Sequence, residues 1–211
     1  MLQPLKDFCM KALSLFVIHD CLINDPSRVF VQTTSGDLLE LYAWASENSS
    51  EELHVYSGSF NPLHEGHQAI FSAMKTYQGT RVFELSINRF DKPPVTVEEL
   101  TTRLAQFVGY APVLITNKAL FEEKAELINS CFYPVFHVGA DTLIRIMVSY
   151  PSNQDIEKLR CEFVYYDRIM NDTRVTIPPT LPINMIKGPA IPDHLLRFSS
   201  TAIRNGASIT T

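Results

Sequence analysis

From residue 53 onward the chain alternates between short runs of strand formers and longer stretches with helical periodicity. Strand-like runs fall at 53–56, 81–87, 112–116, 134–138 and 161–166, with a weaker one at 183–186. Helical spacing of apolar residues covers 66–77, 97–108, 119–129, 142–148 and 154–159, and a last helix begins at Ser199 or Ser200. Parallel strands need crossover connections, and helices in those crossovers cover both faces of the sheet. The chain is therefore expected to be α/β, with a parallel sheet and helices on both faces. In such sheets a ligand sits at the carboxyl ends of the strands, where strand order reverses. Polar residues follow the strands as that rule asks. His64 and His67 follow the first, Asn88, Asp91 and Lys92 the second, Gly139-Ala140-Asp141 the fourth and Arg168 the fifth.

The first 52 residues follow another pattern. Leu2, Leu5, Phe8, Cys9, Ala12, Leu13 and Phe16 predict one helix over 2–17 with a single apolar stripe. Strand formers at 28–32 and 38–44 flank Thr34-Ser35-Gly36-Asp37, which reads as a hairpin turn. No catalytic pattern appears there, and Trp44, the only tryptophan, reads as a packing residue. The chain thus divides into a helix-and-hairpin extension, 1–52, and a main domain, 53–211. The proline-rich stretch 177–192 reads as a loop and a candidate flap over substrate.

Composition narrows the class of function. A length of 211 residues with 45% hydrophobic content suits one well-filled core. A net charge of −5 without any dense Lys/Arg run argues against general nucleic-acid binding. The four cysteines form no CxxC pair, which argues against zinc and against a disulfide framework. Reduced thiols in a cytoplasmic protein fit better. No apolar run is long enough to span a bilayer. The short apolar stretch 12–18, followed by His19 and Asp20, reads as an ordinary helix rather than a signal peptide. Oligomeric state is left open, a homo-oligomer included.

The stretch 55–67, VYSGSFNPLHEGH, reads as a strand, a tight turn marked by Gly58 and Pro62, and a helix start carrying two histidines. Helix starts attract anions, phosphate above all, and imidazoles can donate to phosphate oxygens. An isolated HxxH would be an ordinary cap with two surface histidines. Here strand, glycine, proline and helix surround it and propose a phosphate site. Downstream, Phe198-Ser199-Ser200-Thr201-Ala202-Ile203-Arg204 offers hydroxyls at an N-cap and an arginine one turn on.

GSFNPLHEGH at 58–67, HVGADTLIRI at 137–146 and FSSTAIR at 198–204 together resemble the HxGH-type nucleotidylyltransferase superfamily, in order and separation as well as in residues. The last motif resembles the ISSTxIR signature of nicotinamide mononucleotide adenylyltransferases, with Phe198 replacing its isoleucine. The segments 83–94 and 124–127 are similar to a branch, found in plants and other organisms, in which such a domain follows an amidase-like domain related to competence-damage proteins. The resemblance covers about 55–204 and implies a Rossmann-like fold. It implies adenylyl transfer from ATP to nicotinamide mononucleotide, giving NAD and pyrophosphate. Another acceptor, nicotinate mononucleotide or a different phosphate monoester, is the first alternative, and a non-catalytic nucleotide-binding module the second.

By the same resemblance, His64, His67, Ser200 and Arg204 hold the ATP phosphates. Gly58, Ser59 and Phe60 line the nucleotide through their backbone, Ser199 and Thr201 shape the second turn, and Gly139 allows close approach. Asp141 accepts from a ribose or base donor, and Lys92 and Arg168 supply further phosphate contacts. Mg²⁺ accompanies ATP and keeps most of its waters, with no dedicated protein cage. The tryptophan that stacks a pyridine in many such enzymes is not evident after Asp141, and Phe90, Tyr150, Tyr165 and Tyr166 are the candidate replacements. His19, His54, His137 and His194 have no motif around them and read as structural or exposed, and Arg103 as an ion-pair former.

Overall fold

The computed structural model describes residues 14–88, 93–150 and 152–204, apart from the side chains of Thr201 and Ala202. The chain begins with α1 (Leu15–Asn24), β1 (Phe30–Gln32), β2 (Leu38–Glu40) and α2 (Leu41–Ala45). Strand–helix alternation follows: β3 (Glu52–Ser57), α3 (Glu65–Ala73), β4 (Thr80–Ser86), α4 (Val97–Ala105), β5 (Val113–Thr116), α5 (Phe121–Ile128), β6 (Tyr133–Gly139) and α6 (Ala140–Ser149). It continues through α7 (Asn153–Glu157), β7 (Glu162–Tyr166), a small hairpin of β8 (Ile169–Met170) and β9 (Thr173–Arg174), and β10 (Met185–Lys187). Two short helices, α8 (Asp193–Leu196) and α9 (Ser200–Arg204), complete the described chain.

Among the described residues eight strands form one sheet in the order β10-β7-β6-β3-β4-β5-β1-β2. The pairs from β10 to β5 are all parallel, and β1 adds antiparallel to β5. Strand order runs outward in both directions from β3, so it reverses between β3 and β6. That is the doubly wound arrangement of a Rossmann-like fold, with its crevice at the carboxyl ends of those two strands.

Both faces of the sheet are covered, as period-2 burial requires. Leu53, Val55, Val82, Phe136 and Phe163 face α5, α6 and α7 through Ala125, Ile128, Leu143 and Ile156. Tyr56, Phe83, Leu85 and Val164 face α1, α3 and α4 through Ile18, Leu22, Phe71, Leu100 and Leu104. Among the described residues no helix is long and apolar enough to cross a membrane.

Two buried polar groups of contacts run through this core. Glu84 accepts from Lys124 Nζ at 2.8 Å and from Thr116 Oγ1 at 2.6 Å, tying β4 to α5 and β5. The second is a chain whose polarity is fixed by its end. The Gln78 carbonyl can only accept, so His54 Nε2 donates to it at 2.6 Å. His54 Nδ1 then accepts from His137 Nε2 at 2.9 Å, and His137 Nδ1 accepts from the Tyr166 hydroxyl at 2.9 Å. Both imidazoles are neutral, because burial lowers their pKa values, that of His137 to about 3.

Several expectations need correction. The strand predicted over 38–44 stops at Glu40, and 41–45 turn into α2, placing Leu41 and Trp44 in the core beside Phe132. The helix predicted over 66–77 tightens to a 3₁₀ turn at Met74–Thr76, and the one over 97–108 ends at Ala105. Helix α1 runs seven residues beyond Val17, to Asn24, while the first twelve positions of the predicted 2–17 helix lie outside the described residues. Helix α8 and the β8–β9 hairpin had no periodic signal, being too short to show one.

Candidate functional site

Helix α3 opens at the carboxyl end of β3 with a reciprocal cap built from the two motif histidines. His64 is the N-cap residue, and its Nδ1 accepts from the His67 N–H at 3.3 Å. His67 Nδ1 accepts in turn from the His64 N–H at 3.3 Å. The rings stack with centroids 3.5 Å apart. A neutral imidazole whose Nδ1 accepts must carry its proton on Nε2. The cap therefore fixes both tautomers and leaves two Nε2–H donors for a ligand.

Electrostatics keep the pair neutral. Burial, with the nearby Arg168 guanidinium second, pushes the His64 pKa down to about 4. Burial and then the neighbours His64 and Arg168 push His67 to about 2. Burial also raises Tyr56 well above the usual phenol range, with Arg168 opposing and Asp141 reinforcing that shift. Arg168 thus stands within electrostatic reach of both histidines and Tyr56. Its Nη1 donates to the Leu196 carbonyl at 3.3 Å.

The loop between β3 and α3 is held from three directions. Gly58 N–H donates to the Glu84 carbonyl at 3.1 Å, and a Cβ there would lie 2.7 Å from the Phe60 ring. Phe60 takes φ 42, a left-handed conformation that costs a non-glycine residue energy. Its fully buried ring, packed edge-on to His67, Phe83 and Phe107, offsets that cost. Gln106, at the end of α4, clamps the loop: its Oε1 accepts from Leu63 N–H at 2.8 Å and its Nε2 donates to the Phe60 carbonyl at 3.0 Å. Gln106→Ala is expected to cost about 1–3 kcal/mol, since it orphans both groups. A denaturant melt checks this.

The C-terminal motif braces the same loop. Ser200 Oγ donates to the Pro62 carbonyl at 3.0 Å, and Arg204 Nη1 donates to the Asn61 carbonyl. Gly66 explains how the two motifs fit together. A Cβ at Gly66 would meet the Leu195 carbonyl at 2.8 Å and Phe198 Cβ at 3.0 Å. Only glycine lets α3 and the chain leading to α9 approach so closely.

These elements enclose a cavity of about 390 Å³ at the strand-order reversal. Of the residues singled out in the sequence, Gly58, Ser59, His64, His67, Gly139, Asp141, Arg168 and Ser200 line it. Phe60 instead buries its ring in the core, and Arg204 reaches the loop backbone. The carbonyl of Ser199 accepts from Ile203 N–H within the last helix. Lys92 and the Thr201 side chain lie outside the described residues. Of the replacements for the absent tryptophan, Tyr165 and Tyr166 are buried in the sheet and closed to a ligand. Phe90 lies outside the described residues, and Tyr150 remains half-buried at a second cleft.

Sequence reasoning missed Tyr56, Thr142, Arg145, Asp167 and Leu195, which also line the cavity. Arg145 carried a usable signal, since it stands four residues after Asp141 and shares its helical face. Asp141 and Asp167 are the only carboxylates among the described lining residues. Asp167 is already paired with Arg174 at 2.6 Å and Lys187 at 3.0 Å. Among the described residues no group of three or more His, Cys, Asp or Glu side chains could hold a metal ion. The arrangement suits a polyanion: neutral N–H donors, a hydroxyl, a guanidinium and two helix starts converge on one space.

No protein-family model matches the sequence, and no match is found among curated proteins. Among solved structures the chain is similar to Plasmodium falciparum nicotinic acid mononucleotide adenylyltransferase complexed with NaAD, at 16% identity and TM-score 0.48, over 74% of this chain and 83% of that one. The same enzyme complexed with APC gives 16% identity and TM-score 0.45 over the same shares of the two chains.

Proposed function

We propose that this protein transfers the adenylyl group of ATP to nicotinamide mononucleotide, giving NAD and pyrophosphate. The observation that carries the reading is the reciprocal histidine cap. It presents two Nε2–H donors beside Arg168 and Ser200, in the crevice between β3 and β6. The three motifs GSFNPLHEGH, HVGADTLIRI and FSSTAIR, which suggested this chemistry, come together at that crevice.

The acceptor's phosphate oxygen attacks the α-phosphorus of ATP. One P–O bond forms, the α–β bridging P–O bond breaks, and its electron pair leaves with pyrophosphate. A phosphate nucleophile is already ionised, so no side chain has to remove a proton. The protein's task is alignment and stabilisation of negative charge. The Nε2–H groups of His64 and His67 and the Arg168 guanidinium supply that charge stabilisation. Ser200 and Arg204 hold the loop and take the terminal phosphates. Asp141, at the start of α6, accepts from a ribose hydroxyl. With Asp141 and Asp167 the only carboxylates lining the cavity among the described residues, Mg²⁺ fits as an ion held by ATP oxygens and water, where it would neutralise phosphate charge.

The test is incubation of purified protein with ATP, Mg²⁺ and a panel of nicotinamide mononucleotide, nicotinate mononucleotide, other mononucleotides and phosphopantetheine. Pyrophosphate and the coupled product are measured. NAD from nicotinamide mononucleotide is the expected outcome. Product with nicotinate mononucleotide alone would move the assignment to that acceptor, and product with phosphopantetheine alone would sink the pyridine-nucleotide reading. ATP binding without turnover on any acceptor would leave a nucleotide-binding module.

A further inference from the structure

Tyr56 stands at the floor of the cavity with nothing in the protein for its hydroxyl to bond. It lies on β3, the strand at which sheet order reverses, in register with Phe83 on β4 and His137 on β6. Its ring packs against those of Phe60, Phe83 and His67, with centroids 5.6, 5.8 and 5.9 Å away. Only 7% of the residue is exposed, and it lines the cavity. Among the described residues its hydroxyl makes no hydrogen bond. The Tyr166 hydroxyl, by contrast, donates to His137 Nδ1 at 2.9 Å.

Packing alone does not explain a tyrosine here. Phenylalanine would fill the same space against the same three rings and would carry no polar atom to desolvate. A buried phenol ordinarily finds a partner, and leaving one without is costly. A hydroxyl kept at that cost on a cavity wall has its partner in the cavity. Charge says what kind of partner. Burial, the largest influence, holds the phenol well above its usual range, so the group is neutral and can donate. Arg168 and Asp141 act on it in opposite senses, so it lies within electrostatic reach of both. A ligand group that meets this hydroxyl therefore lies between the residue assigned to phosphate charge and the one assigned to a ribose hydroxyl. In ATP the group that joins the triphosphate to the ribose is the α-phosphate.

We infer that the Tyr56 hydroxyl donates a hydrogen bond to an α-phosphate oxygen of ATP, which makes Tyr56 a catalytic residue. This rests on the adenylyl-transfer reading above. The α-phosphorus is the atom attacked. The hydrogen bond is present in the bound substrate and strengthens as charge redistributes over the equatorial oxygens. The acceptor's P–O bond forms, the α–β bridging bond breaks and pyrophosphate carries off the electron pair, while the phenol keeps its proton.

Tyr56→Phe in the full chain tests this, because it deletes the hydroxyl and keeps the ring. Its melting temperature should be no lower than that of the wild type, since only an unsatisfied polar atom is lost. With ATP, Mg²⁺ and nicotinamide mononucleotide, kcat should fall about 10²-fold, the loss of one preorganised donor. The acceptor KM should stay within about twofold. A kcat within about twofold of wild type overturns the inference, as does a loss confined to the acceptor KM. So does a lower melting temperature, which would give the hydroxyl a partner in the fold. If the wild-type protein forms no product with any acceptor, the adenylyl-transfer reading has failed. Calorimetry with AMP and with inorganic pyrophosphate then reads the inference alone, since AMP carries the α-phosphate on its ribose and pyrophosphate does not. AMP affinity lowered about 3- to 10-fold in Tyr56→Phe, with pyrophosphate unmoved, upholds it. AMP binding indifferent to the change, or absent from the wild type, overturns it.

Discussion

Replacing His67 by alanine is expected to lower turnover about 10²–10³-fold, the usual loss when one preorganised donor to a developing charge is removed. The Nε2–H of His67 is one of the two donors that the reciprocal cap aims at the cavity. The alanine also removes the acceptor of the His64 N–H, so part of the loss comes from a loosened cap. His67→Asn separates the two effects. An amide can accept that N–H and still donate, so stability should return while turnover recovers only in part. Turnover within about twofold of wild type for His67→Ala, with the fold intact by thermal melt, would show that no charge develops beside this ring.

Mild acid should unfold the protein, with a midpoint at about pH 4–5 when several buried imidazoles titrate together. His54, His64 and His137 are buried, and they and His67 have pKa values lowered chiefly by burial. Above pH 6.5 these rings are neutral whether the chain is folded or not, and they add no pH dependence. Below it the unfolded chain binds protons that the folded one refuses. Stability therefore falls as pH falls, from about 6.5 down to the lowered values near 4 for His64 and 3 for His137. Each ring held neutral adds a slope of about 1.4 kcal/mol per pH unit across its window. Urea unfolding at stepped pH reads this directly, and a flat profile between pH 6.5 and 4.5 would contradict it. Saturating ATP should flatten only part of the slope. Bound phosphate favours protonated His64 and His67, but it does not reach the His54–His137 pair in the sheet.

Much of the fold was legible because its signals are periodic. The five stronger strand runs and the sixth, weaker one all form parallel strands of the main sheet. What failed was local competition. The run 38–44 has strand formers throughout, yet Leu41 and Trp44 reach the core only if the chain turns into α2. Tertiary burial overrode propensity there. In the site, His64, His67, Asp141 and Ser200 stood out because a motif surrounds them and Arg168 because it follows a strand, whereas Thr142 and Arg145 sat inside a motif without being singled out and Tyr56 and Asp167 had no signal of their own. Tyr56 ends a strand, and Asp167 follows one without any pattern around it. The contact that makes Gly66 necessary lies with Leu195 and Phe198, about 130 positions downstream, and no local reading of HEGH can supply it. His54 and His137 were read as structural or exposed; their hydrogen-bonded chain depends on parallel register between β3 and β6.

That register also decides how substrate gets in. The floor of the cavity is the seam between β3 and β6, zipped from Glu52↔Tyr133 to Tyr56↔His137. Widening it would shear a buried ladder and the imidazole chain that crosses it, so the floor behaves as rigid masonry. The roof is different. Helix α8 is four residues long, and solvent-exposed ion pairs, Arg174–Asp193 and Arg197–Asp172, help moor its segment to the β8–β9 hairpin region. Such pairs are individually weak and are screened by salt. Entry and exit should therefore be a matter of lifting the roof, and ionic strength should tune the rate of passage while leaving the masonry untouched.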